Sequence, residues 1–159
     1  MEYTERLARG KALFEEGYSC SQAVVIAFSD LTGIDEKTAA LLSSSFGGGM
    51  ARLRDTCGAV SGMAMVAGLL FGYSDPTDHA KKSAHYERVR RLIGEFTAEN
   101  GSYVCRELLA GVPHTAGGVP EQRDPAYYKK RPCGEYVACA VGILERELIE
   151  EGKIEIEQD

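Results

Sequence analysis

Apolar residues recur along this chain at helical rather than alternating spacing, and polar capping residues punctuate them. Tyr3, Leu7 and Phe14 fall on one face of a first helix that ends near Gly17. Ser19-Cys20-Ser21-Gln22 reads as a capping box. It opens a second helix through Val24, Val25, Ile26 and Phe28 that stops at Gly33. Asp35 caps a third, with Ala39, Leu41 and Leu42 as its apolar positions, and Gly47-Gly48-Gly49 then breaks the chain.

The segment from Cys57 to Tyr73 carries no charge. Its length lies at the short limit for a bilayer span, about 17–25 residues, and Gly58, Gly62, Gly68 and Gly72 dilute its hydrophobicity. Small residues at four-residue spacing favour close helix contact, so the segment is read as a buried central helix. Asp75-Pro76 is expected to start a long fifth helix with Tyr86, Val89, Ile93 and Phe96 inward, ending at Asn100-Gly101. A short sixth helix carries Cys105, Leu108 and Leu109, and a last one runs from Cys133 to Glu151 with Val137, Val141, Leu144 and Leu148 on one stripe. Between Leu109 and Pro132 lies a Gly- and Pro-rich connection, of a length usually reserved for lids and mobile segments. No βαβ alternation appears. The expected architecture is all-α, a compact multi-helix bundle around the glycine-rich central helix, with residues 1–159 as a single domain. Residues 152–159 form an acidic tail in which Ile154 and Ile156 could pair as a short strand.

Composition narrows the function classes. Over 159 residues, 24 acidic against 18 basic side chains leave a net charge of −6. That argues against a general nucleic-acid binder or a protein held on anionic membranes. The polar N-terminus lacks a signal-peptide pattern, which places the expected location in the cytoplasm, where structural disulfides are uncommon. Five cysteines are too few for a disulfide scaffold.

The cysteines carry the chemistry. Cys20, Cys57, Cys105 and Cys133 each fall where a helix is about to begin, after Ser19, Thr56, Ser102 and Pro132 respectively. A helix start presents unpaired N–H groups and roughly +0.5 charge, and on its own lowers a thiol from ~8.5 to roughly 7–8. If four such ends converge, their combined charge of about +2 matches the −2 of an oxidised two-iron, two-sulfide centre held by four thiolates. Structural zinc prefers ligands paired within one turn, and no C-x-x-C occurs here. Cys139 sits about 120° around the helix from Cys133 and is read as a small core residue.

Cys57-Gly58-Ala59-Val60-Ser61-Gly62 makes the pattern recognisable. With Gly17-Tyr18-Ser19-Cys20, Phe46-Gly47-Gly48-Gly49-Met50, Cys105-Arg106-Glu107-Leu108-Leu109 and the Cys133 helix, the chain resembles the small bacterial and archaeal C_GCAxxG_C_C family of redox-active proteins. The resemblance maps the family's four cysteines onto Cys20, Cys57, Cys105 and Cys133 and leaves Cys139 as an extra. It also implies that such a domain occurs beside haem-carrying electron-transfer modules.

Three functions remain open on these residues. One is electron transfer through an iron–sulfur cluster, or another metal, held by the four cysteines. The second is a thiol–disulfide oxidoreductase with Cys57 attacking, Thr56 capping its helix, and Cys20 as the neighbouring thiol. The third is a non-enzymatic helical interaction module. Gly47, Gly48 and Gly49 are candidates for an anion-binding nest beside Cys57, with Arg52 and Arg54 nearby, or for a tight turn; Gly58 is expected to border the same cofactor site. Lys129-Lys130-Arg131 precedes Cys133 as a candidate for depressing its pKa or docking an acidic partner. The expected partner is a redox protein, with a homo-oligomer left open and membrane insertion not expected. His79, His85 and His114 do not form a ligand pair.

Overall fold

The computed structural model describes residues 4–155. Helix α1 (Glu5–Glu15) begins at Thr4, whose hydroxyl accepts the Leu7 N–H, and buries Leu7, Leu13 and Phe14. Tyr3, expected on the same face, lies outside the described residues. Gly10 lets α1 approach the last helix closely, because a Cβ there would meet Val141 Cγ2 at 3.0 Å.

Helix α2 (Cys20–Ala27) has the full capping box, with Ser19 and Gln22 bonding each other's backbone N–H groups. Ala23 to Phe28 are almost completely buried. The run expected to reach Gly33 breaks at Phe28, and α3 (Ser29–Thr32) is a separate turn. The break has a partner: Arg6 donates to the Ala27 carbonyl at 2.7 Å, pairs with Asp30, and lies 5.1 Å from the Phe28 ring centre.

Helix α4 (Glu36–Ser43) is capped by Asp35 as expected. Its inner face consists of Ala39 and Ser43, while Leu41 and Leu42 are 66% and 51% exposed, contrary to the apolar pattern. Small side chains bring α4 close enough for Ser21 to donate to the Ser43 carbonyl at 2.9 Å and Gln22 to the Ala40 carbonyl at 3.0 Å.

After a 3-10 turn (Ser44–Phe46) and the glycine loop comes α5 (Gly58–Phe71), the uncharged helix. It packs along α2, where Gly62 allows contact: a Cβ there would lie 2.9 Å from the Ser21 carbonyl. Helix α6 (His79–Asn100) starts three residues later than the Asp75-Pro76 signal suggests, because Asp78 caps it and Asp75 instead closes a turn onto Thr77. Leu92 and Phe96 form its buried face, Val89 and Ile93 are half-buried, and Tyr86 is 53% exposed. Helix α7 is Cys105–Leu108 and α8 is Pro125–Lys130. The latter lies within the connection expected to be irregular, with Asp124 accepting the Tyr127 N–H and proline in its first turn. Helix α9 (Cys133–Glu150) buries the expected stripe against α1, α2, α5 and α6.

Among the described residues there is no strand, only an isolated bridge between Thr56 and Val104. No strand forms around Ile154, which packs on the core; Ile156 is outside the described residues. No helix among the described residues is long and apolar enough to cross a membrane.

Candidate functional site

Cys20, Cys105 and Cys133 are the first residues of α2, α7 and α9, and Cys57 is the N-cap of α5. These four helix starts, far apart in the chain, open onto one cavity of about 270 Å³. Cys20, Cys57 and Cys105 are buried and Cys133 is partly so; all are free thiols. Cys139 is buried elsewhere. Its Sγ donates to Glu99 at 3.1 Å and accepts from Asn100 at 3.3 Å, so it is tied into a polar contact rather than acting only as an apolar filler.

Glycines make the convergence possible. A Cβ on Gly58 would overlap Cys20 Sγ and lie 2.9 Å from the Phe46 carbonyl oxygen. One on Gly47 would lie 2.8 Å from Ser19 Cβ, and one on Gly49 would lie 2.7 Å from Cys105 Cβ. Gly47, Gly48 and Gly58 line the cavity, whereas Gly49 stands behind Cys105. The loop is more than a tight turn: Gly48, Gly49, Met50, Ala51, Arg52 and Arg54 all have positive φ. It is locked from both sides. Ala51, Arg52, Arg54 and Asp55 donate back to Ser45, Gly47, Gly48 and Gly49, while Cys105 and Arg106 donate to the Asp55 and Arg54 carbonyls. Thr56 bridges Val104 and does not cap α5.

Three of the thiols, Cys20, Cys57 and Cys133, do not titrate as their helix positions suggest. Burial pushes the Cys20 and Cys57 thiols up, and pushes Cys133 up to about 12. Charge on the neighbouring sulfurs works in the same direction. N–H groups of Gly48 and Ser21 at Cys20, and of Val60 and Ala59 at Cys57, act the other way without prevailing. The expected lowering fails because a helix start offsets only about 0.3–2 kcal/mol, less than the cost of desolvating a buried thiolate.

Arginines complete the lining. Arg54 Nη1 lies 3.8 Å from Cys105 Sγ, and the Arg131 guanidinium works against the upward shift at Cys133. Arg123 donates to the Phe14 and Tyr18 carbonyls at 3.2 and 3.3 Å and stacks over Phe14 and Tyr127. Arg52 donates to the Thr115 carbonyl at 2.9 Å and to the Val119 carbonyl. The connection between α7 and α8 is thereby strapped across the cavity as a lid. Arg123 and Glu121 had no signal in the sequence, since a single charged residue in a Gly/Pro-rich loop reads as solvated. No histidine lines the cavity.

One zinc ion would need sulfurs about 2.3 Å from a common centre. Among the described residues, no group of three or more His, Cys, Asp or Glu is disposed to hold a metal ion. The sulfurs instead border a larger void. The four cysteines line this void together, with backbone N–H groups turned to Cys20 and Cys57.

This is an all-helical protein whose cysteine-bearing helix ends share one basic cavity. The family described as "Putative redox-active protein (C_GCAxxG_C_C)" matches residues 18–147, and the chain belongs to that redox-active family. Comparisons with curated proteins and with solved structures give no match.

Proposed function

We propose that the protein is an electron-transfer protein whose centre is an iron–sulfur cluster held by Cys20, Cys57, Cys105 and Cys133. The observation that carries this reading is the shared cavity of about 270 Å³ bordered by all four thiols. When bound, the cluster supplies a one-electron carrier. The chain does the rest. N–H groups from Ser21, Gly48, Ala59 and Val60 stabilise negative charge on Cys20 and Cys57. Arg54 and Arg131 do so at Cys105 and Cys133. The lid and the Tyr127 and Tyr136 rings limit water at the sulfurs. Among the described residues, four guanidinium groups against the single carboxylate of Glu121 leave three positive charges in the lining, which suits an anionic centre.

Anaerobic reconstitution with ferrous iron and sulfide tests the proposal. The expected product absorbs in the visible and holds about two to four irons per chain with matching acid-labile sulfide. A Cys→Ser change at any of the four positions lowers the iron content at least twofold. Colourless protein whose thiols pair reversibly into a disulfide would overturn the reading in favour of dithiol chemistry.

A further inference from the structure

We infer that Arg52, Arg54 and Arg131 form a binding site for a small anion of the carboxylate or oxyanion class, occupied in this structure by Glu121 of the protein's own lid. The three guanidinium groups come from two separate segments, the left-handed loop and the end of α8, and line the same cavity. Their side chains are withdrawn from water: Arg131 is 4% exposed and Arg52 11%. Arg54 Nε is buried with no hydrogen-bond partner. Burying like charges together is costly unless an anion joins them. Among the described residues Glu121 is the single carboxylate in the lining; its Oε2 pairs with Arg131 and lies 3.8 Å from Arg52 Nη2.

Glu121 is also part of the lid's internal structure, since its Oε1 accepts the Thr115 N–H at 3.2 Å. Thr115 is the residue that Arg52 and Arg54 hold through its carbonyl, at 2.9 and 3.2 Å. A tethered carboxylate therefore holds the lid down at the point where an external anion would be bound. Guanidinium groups take carboxylates and tetrahedral oxyanions through the same forked donor geometry. An anion displacing Glu121 gains three cations and releases the lid beside the cysteines. Lid contacts hold these arginines without a metal: Arg52 and Arg54 at the Thr115 carbonyl, and Arg131 at Glu121.

The test uses metal-free protein at constant ionic strength, titrated calorimetrically with sodium sulfate and, in a parallel arm, with sodium succinate. The wild type is expected to bind weakly and saturably, and the stronger of the two arms identifies the preferred anion. Glu121→Gln, which removes the internal competitor, is expected to tighten binding at least tenfold, and Arg54→Gln to weaken it at least tenfold. Unchanged or weaker binding in Glu121→Gln, or wild-type binding in Arg54→Gln, overturns the inference. If Glu121→Gln does not fold, limited proteolysis of the wild type decides. Saturating sulfate must increase cleavage within residues 110–124, and unchanged or reduced cleavage overturns the inference. Since no metal is present in either measurement, these outcomes are independent of whether the cysteines take a cluster.

Discussion

Replacing Gly58 by alanine inserts one methyl group at the tightest point of the site. The new Cβ would overlap Cys20 Sγ and lie 2.9 Å from the Phe46 carbonyl oxygen and 3.3 Å from the Ser21 nitrogen. Ordinary contact needs about 3.5–4.0 Å, so the sulfur must move by roughly 1 Å. The two backbone atoms cannot move away without pulling α2 or the 3-10 turn. Such overpacking costs about 1–3 kcal/mol, or roughly 3–10 °C in Tm for a chain of this size. Gly68 provides an internal control on the same helix. Nothing lies within 4 Å of a Cβ there, so Gly68→Ala is expected to stabilise by about 0.5–1 kcal/mol through helix propensity. Thermal unfolding by circular dichroism should separate the two variants by several degrees in opposite directions. Iron uptake after reconstitution should fall in Gly58→Ala alone. If Gly58→Ala melts with or above Gly68→Ala, or loads iron like wild type, the packing argument at Cys20 is wrong.

Two other outcomes follow from charges away from the cavity. Hydrogen bonding to Arg91, opposed by burial, holds the Glu147 carboxyl below the usual range, with Arg88 adding to the effect. A depressed acid contributes stability that is present above its unfolded pKa, near 4.3, and is lost as pH falls through its folded value. Glu147→Gln should therefore be less stable than wild type to urea at pH 7, and the gap should narrow as pH falls below the unfolded value and through the lower folded one; a gap that widens on acidification refutes this account. Cys139→Ala removes a thiol pushed up to about 12 by burial and leaves Glu99 paired with Arg146. It should cost about 1 kcal/mol in denaturant titrations while leaving iron content unchanged, and a loss of iron would show that this sulfur belongs to the centre.

Much of the helical framework could be read from residue order because local rules agreed with burial. Ser19 and Asp35 cap as their chemistry dictates, and Gly33 and Gly101 adopt the left-handed stop. The reading failed where tertiary contacts override periodicity. Leu41 and Leu42 lose the inner face to Ala39 and Ser43, since only small side chains allow α4 so near α2. Phe28 ends α2 early because Arg6 takes the freed carbonyl. The helix-start placement of the four cysteines was legible, and Gly47, Gly48 and Gly58 line the cavity they share. The direction of the thiol shifts was not, because helix position is local whereas desolvation depends on everything else that packs around the sulfur. Glu121 and Arg123 acquire their roles only once the connection folds back over Phe14 and Tyr18.

The unusual backbone from Met50 to Arg54 bears on how this protein can be altered. Met50, Ala51, Arg52 and Arg54 each sit in a conformation that costs an ordinary residue about 1 kcal/mol or more and glycine almost nothing. A redesign guided by backbone strain alone would write glycine at all four places. It would also delete the two guanidinium groups that hold the lid at Thr115, so relief of local strain would come with a loosened cover over the cysteines.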